Sequence, residues 1–210
     1  MAVNQNIPAA WDTYVTQTNL GLEVVPHQLY DTLFLQPGAV PGGGTPPNVT
    51  ELRFFQQTNV TPDISNMKNS GMLANPEAML IQALRFIWRI PCTGNLDLVT
   101  AQVAFANATV VVLQIGNKNY GPWPLWTMTS GIEMTGVALG SLDHLWPQTG
   151  GPLYPLFPNL MLSPLQPFTL YMRTTPPAPG QTAGLINFPA ASGPVGLMFM
   201  FDGQLARSIQ

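Results

Sequence analysis

Val195 to Phe201 reads VGLMFMF, seven residues without a charge or a side-chain hydrogen-bonding group. A strand with one face in water alternates apolar and polar residues, and this one does not. It therefore reads as a strand whose second face is also covered, by loops or by a neighbouring subunit. Asp202-Gly203 follows as a turn or bulge, and Arg207 supplies a rare charge beyond it.

Other runs rich in Val, Ile, Leu, Phe and Thr predict strands at Glu51–Gln57, Leu84–Pro91, Leu98–Phe105, Thr109–Ile115, Ile132–Leu139 and Phe168–Thr174. Shorter candidates are Leu20–Val25, Asp31–Leu35 and Leu185–Phe188. The segment FTLYMRT alternates cleanly, Phe168, Leu170 and Met172 against Thr169, Tyr171 and Arg173. Between the runs lie Pro/Gly clusters read as loops: Pro37–Asn48, Asn119–Trp126, Trp146–Pro158 and Thr174–Gln181. Many short strands cut by such clusters point to an all-β sandwich, jelly roll or barrel.

One helix start is legible. Asn75-Pro76-Glu77-Ala78 offers a capping side chain, a proline suited to the first helical position and an acid for the helix dipole. The stretch beyond it is ambiguous. Gln82, Arg85 and Arg89 could share a helix face, whereas Leu84, Phe86, Trp88 and Ile90 alternate as in a strand. The expectation is a short helix to about Ala83, then a strand.

Charge is scarce. Asp, Glu, Lys and Arg make up 8% of the 210 residues, against roughly 25% in an ordinary soluble domain. Low charge removes the repulsion that keeps monomers apart, so such a surface favours association. A net charge of −3 with only Arg85 and Arg89 near one another argues against phosphate recognition. The single Cys92 sits in a turn-like setting, without clustered Cys or His for a metal. MAVNQNIPAAWD has neither the basic start nor the apolar core of a signal peptide. Ala78–Ile90, the longest apolar stretch, carries Gln82, Arg85 and Arg89 and falls short of a membrane span.

Reactive groups are equally sparse. The two histidines, His27 and His144, stand apart; Asp143-His144 are adjacent, but a triad is a matter of geometry rather than adjacency. No nucleophile elbow, zinc-protease signature, phosphate loop or calcium loop occurs. No catalytic, cofactor-binding or metal residue is assigned, and the chain is not expected to be an enzyme. Trp123, Trp126 and Trp146, in Pro-rich stretches, raise a carbohydrate-binding alternative; the competing reading has them filling loop interiors or subunit contacts. The N-x-T sequons at Asn48, Asn59 and Asn107 match chance for this composition.

Several stretches, in order, resemble the jelly-roll major capsid proteins of tailless icosahedral bacteriophages with an internal membrane. They are Leu52–Ile90, with Asn66-Met67 and the Gly71–Leu73 turn; Leu113–Gly131; Leu162–Thr174; and the closing MFMFDGQLARSIQ. Each is short, and together they span Leu52 to Gln210. The length implies a single jelly roll, a two-sheet antiparallel β-sandwich with long Pro/Gly-rich loops and one or two short helices. Residues 1–50 match nothing in the family and are expected to be an arm packing on the barrel or a neighbour, with the jelly roll in 51–210. On that basis, deleting residues 1–40 should impair assembly more than folding.

The resemblance implies a structural capsid protein, made in the host cytoplasm and located in the virion shell. It would assemble with itself and/or a second capsid protein, in contact with an internal membrane or its proteins, without a cofactor and without sequence-specific nucleic-acid binding. The alternative is a jelly-roll binding module: receptor- or carbohydrate-binding, or a minor vertex protein.

Overall fold

A computed structural model describes residues 8–17, 21–35, 51–57, 61–89, 105–128, 153–174 and 195–209. The described chain is almost entirely β. In order come a helix α1 (Ala9–Gln17) and strands β1 (Leu22–Leu35), β2 (Glu51–Phe54), β3 (Ala78–Arg89) and β4 (Thr109–Ile115). Strands β5 (Lys118–Pro124), β6 (Tyr154–Leu162), β7 (Phe168–Thr174) and β8 (Val195–Ser208) follow, with a 3-10 turn at Leu125–Thr127 after β5. They form two four-stranded sheets, ordered β1-β8-β3-β6 and β2-β7-β4-β5, and every pairing is antiparallel. The pairing is nested: β1 with β8, β2 with β7, β3 with β6, β4 with β5.

The sheets share one core, built from alternate residues of each strand. Aromatic rings lock them together. Phe54 of β2 meets Phe199 of β8 edge to face at 5.0 Å, and Phe199 in turn meets Phe86 of β3 at 5.0 Å. The series continues through Trp88 to Phe105. A second group joins Phe55, Phe168 and Phe201. Fully burying each such ring is worth about 1.5–3 kcal/mol, so these contacts hold the layers in register.

VGLMFMF opens β8, which continues unbroken to Ser208. Leu197, Phe199 and Phe201 enter the core, so Gly196, Met198 and Met200 point away from it. Asp202-Gly203 makes no turn. The irregularity sits opposite, in β3, where the register slips between Ile81 and Ala83. A Cβ on Gly203 would lie 1.9 Å from the Leu80 carbonyl oxygen, so the bulged partner strand leaves room only for hydrogen.

The expected helix from Ala78 to Ala83 is not formed; Ala78–Arg89 is one strand. Asn75 and Pro76 occupy a turn, with the Glu77 amide bonded to the Ala74 carbonyl at 2.6 Å. The helical look has a cause. Met79 and Ile81 face the core before the bulge and Leu84, Phe86 and Trp88 after it, so one inserted residue shifts the period-2 pattern and imitates helical spacing. Two ladders, to β8 and β6, outweigh the cap.

Within residues 1–50 the described part is a helix and an extended strand packed on the sheet. Leu22–Leu35, expected as two weak strands, is one strand paired with β8 along its whole length. The expected boundary at residue 50 therefore falls between strands of a single two-sheet unit. Pro26 is tolerated because β1 is an edge strand. Two segments expected as loops are strands: Lys118–Pro124 and Tyr154–Leu162, each at a sheet edge where proline costs least. Glu51–Gln57 shortens to Glu51–Phe54. Phe105, expected to close a strand, begins a helical turn over 105–108. The expected strands at Ile132–Leu139 and Leu185–Phe188, and most of Leu98–Phe105, lie outside the described residues.

Where β1 meets the end of β2, Asp31 is fully buried and accepts a hydrogen bond from the Phe55 amide at 2.6 Å. Its Oδ1 has no partner of good geometry among the described residues. Burial raises its pKa, only partly offset by Phe55, Ser65 and the Thr32 backbone. A carboxyl whose pKa is higher folded than unfolded adds stability that is complete below the unfolded value, 3.8, and lost as pH rises through the folded one. Asp31→Asn keeps an acceptor for Phe55 and should raise Tm at neutral pH by a few degrees, about 1 kcal/mol moving Tm roughly 2–4 °C at this size. The gain over wild type should vanish in acid. Melting curves at a series of pH values check this, and an equal shift at every pH would contradict it.

Candidate functional site

The two outward faces differ in chemistry. On the β2-β7-β4-β5 sheet, cross-strand neighbours are polar. Glu51 accepts from Arg53 at 2.9 Å and from Arg173 at 2.8 Å, and both guanidinium groups lie over the Tyr171 ring, at 5.6 and 5.0 Å. The Tyr171 hydroxyl donates to Gln114 Oε1. Burial alone would raise the Glu51 pKa, but the two arginines hold it below the ordinary value. This face is equipped for water.

The outward face of the β1-β8-β3-β6 sheet is not. One end is roofed by α1: Trp11, with Tyr14 and Val15, packs on Ala78, Leu80, Ala206, Met161 and Leu22. The Tyr14 hydroxyl donates to the Pro76 carbonyl oxygen, tying the helix to the turn before β3. Towards the other end the pairings Tyr30–Met200–Arg85 and Thr32–Met198–Ile87 cross β1, β8 and β3. Phe34, 47% exposed, follows on β1. Among the described side chains of this face the charges form one pair, Arg85 Nε to Asp202 Oδ2 at 3.3 Å, with Gln28 also donating to Asp202 at 2.7 Å. Arg85 is thus engaged in a cross-strand pair on a central strand. VGLMFMF has a divided cover: core rings on one side, and on the other an outward side where Met200 is buried and Met198 half-buried among their cross-strand neighbours.

Two of the sheet edges are obstructed by proline. The edge strand β5 carries Pro122 and Pro124, and the edge strand β6 carries Pro155 and Pro158. Proline lacks the amide hydrogen that an added strand would use. On β1 the Asn66 side chain acts as a short strand substitute, accepting from the Tyr30 amide at 2.8 Å and donating to the Gln28 carbonyl at 2.7 Å. Gly71 stitches the same connection to the second sheet, its amide bonded to Phe55 O and its carbonyl to the Phe168 amide. The quoted Asn66-Met67 and Gly71–Leu73 motifs are thus structural.

Along the side where β5 and β6 meet lies a groove of about 300 Å³, lined by Tyr120, Trp123, Tyr154, Pro155, Phe157 and Pro158 among others. Trp123 and Tyr154 stand 6.3 Å apart. Trp123, weighed for sugar stacking, is here; Trp126 sits on the 3-10 turn outside the lining, and Trp146 lies outside the described residues. Tyr120, Tyr154 and Phe157 escape sequence reading because their strands look like loops; the aromatic spacing Tyr120, Trp123 was the available signal.

His27 is half-buried on β1, and burial lowers its pKa. His144 and Cys92 lie outside the described residues. Among the described residues no group of three His, Cys, Asp or Glu could hold a metal, and no helix is long and apolar enough to cross a membrane. Comparison with protein-family models, curated proteins and solved structures gave no match.

Proposed function

We propose that this chain is a single jelly-roll capsid protein that self-assembles, alone or with a second capsid protein, into the shell of an icosahedral virion. The nested strand order supports the fold. Pairs β1–β8, β2–β7, β3–β6 and β4–β5 are what results when a long two-stranded ribbon folds over itself into two Greek keys. The sequence resemblance to capsid proteins of internal-membrane phages adds a shell facing a membrane or its proteins.

The observation that carries the function is the outward face of the β1-β8-β3-β6 sheet. Large apolar contact with few charges to desolvate is what permanent subunit interfaces need. Prolines on the β5 and β6 edges disfavour strand addition there, which would otherwise give open-ended aggregates.

Purified protein should sediment as multimers, alone or with its partner capsid protein, and form shells or capsomers under the electron microscope. A strictly monomeric species at high concentration, with or without that partner, would count against the proposal. Met198→Glu places a carboxylate on the apolar face. It should weaken association at least about 100-fold, because stranding a charge in a dry contact costs about 3 kcal/mol or more. Unchanged sedimentation of a folded Met198→Glu protein would remove this face from the interface.

A further inference from the structure

Charge is balanced one acid to one base in most of the described ion pairs: Lys68 has Glu77, Arg85 has Asp202 and Arg207 has Glu23. On the outward face of β2 and β7 the ratio changes. Arg53 and Arg173 share the single carboxylate of Glu51. In a chain with a net charge of −3 and 8% charged residues, this cluster is a local surplus of positive charge.

The surplus is both fixed and open to solvent. Each guanidinium bonds Glu51 through Nε, and each lies over the Tyr171 ring. A guanidinium has five donors in a planar fork, so one engaged through Nε keeps its Nη edge for a second oxyanion. The Arg53 and Arg173 side chains are 64% and 48% exposed. Carboxylate and ring together hold two long side chains in advance, which lowers the entropy lost when a ligand binds.

Hydroxyl and amide groups continue the same face. Strand β7 presents Arg173, Tyr171 and Thr169 outward in turn, and Gln114 of β4 is registered opposite Thr169. Gln114 accepts from the Tyr171 hydroxyl through Oε1, which leaves its amide nitrogen as a donor. From Arg173 to Thr169 is about 13 Å along the strand, a span for an oligosaccharide rather than for a simple anion. Peptide recognition draws on apolar anchors or a strand edge, whereas this strip is built of guanidinium, carboxylate, amide and hydroxyl groups. We infer that the outward face of β2, β7 and β4 binds an acidic oligosaccharide, its carboxylate on Arg53 and Arg173 and its hydroxyls on Thr169 and Gln114. The inference goes beyond the capsid proposal and applies to assembled and unassembled chain alike.

The test is saturation-transfer NMR on the full-length chain, which tolerates large assemblies. The probe is a tetrasaccharide of alternating glucuronate and N-acetylglucosamine, and its neutral control is the N-acetylglucosamine tetrasaccharide. Saturable binding with a Kd near or below about 1 mM is expected, with the neutral control at least about tenfold weaker. Arg53→Met and Arg173→Met, at exposed side chains, should each weaken binding about tenfold while leaving Tm within a few degrees. Arg173→Lys keeps the charge but loses the fork, and should weaken it too. Raising the salt from 0.05 to about 0.5 M should also reduce affinity. The inference is overturned by no saturable binding up to about 10 mM, or by equal binding of the neutral sugar. Binding indifferent to both arginine variants would overturn it as well. Displacement by an equal concentration of sulfate would reduce the site to a simple anion site, and tighter binding of an Asp/Ser peptide would give it to a protein partner. Because the wild-type contrast between acidic and neutral sugar needs no variant, a misfolded mutant does not blunt the test. Sugar binding by a chain that never forms shells would separate a failure of the capsid proposal from a failure of this one.

Discussion

Deleting residues 1–40 should leave a chain that does not fold. The deletion takes away β1, which is registered with β8 from Leu22–Ser208 to Leu35–Val195. Leu29 goes with it, as do Val25 and Leu33 packed on the core, and Phe199, Phe201 and Leu197 lose the strand beside them. Each apolar side chain removed costs about 2–5 kcal/mol, so two or three exhaust a domain's net stability of about 5–15 kcal/mol. The sequence-based expectation that such a deletion impairs assembly more than folding is therefore replaced. The informative truncation is of residues 1–20, which keeps β1 and removes α1. Loss of Trp11 should cost about 3–5 kcal/mol, as for other buried Trp side chains, and uncover Ala78, Leu80 and Ala206 on the outward face. Near-ultraviolet circular dichroism and thermal melts of both truncations check this. A cooperative melt from residues 41–210 would refute the place given to β1.

Gly203→Val is the point substitution with the largest expected effect. The new Cβ would overlap the Leu80 carbonyl at 1.9 Å, with the Leu80 carbonyl carbon at 2.9 Å and the Gln82 amide at 3.3 Å. These are backbone atoms of a strand laddered on both sides, so no rotamer change relieves the clash. Overpacking of this kind costs about 3 kcal/mol or more, a fall in Tm of roughly 10 °C for a domain of this size. Ser208→Ala, at the exposed end of the same strand, should change Tm little. A Gly203→Val protein with wild-type Tm would mean that β3 and β8 do not run this close.

The strands legible in the sequence are those whose pattern is set locally. Thr109–Ile115 and Phe168–Thr174 coincide with β4 and β7, because both lie in the interior of a sheet with one strongly apolar face. FTLYMRT alternates since Phe168, Leu170 and Met172 enter the core while Tyr171 carries the arginine pair. The misread elements have a common origin in edges and bulges. Proline is a loop signal in the abstract, yet on β1, β5 and β6 it sits where a missing amide hydrogen is harmless. Gln82 disrupts alternation in β3 only because Gly203 faces the bulge from far along the chain. In the outward surface, VGLMFMF was legible as needing cover, whereas Ile87 and Phe34 beside it were ordinary apolar residues until the register aligned them.

The sequence by itself determined that this is a β-rich, charge-poor chain, because composition and period-2 patterning act residue by residue. It also flagged one strand as covered on both faces. Tertiary structure alone decided which segments are nested partners, which sheet face is apolar and which is a polar Arg–Glu–Tyr surface, and that a groove lies where β5 and β6 meet. Those properties belong to pairs of residues far apart in the chain, such as Leu29 with Phe201 or Trp123 with Tyr154. Register is set when the sheets close around a common core, and a local window of sequence contains only one side of each pair.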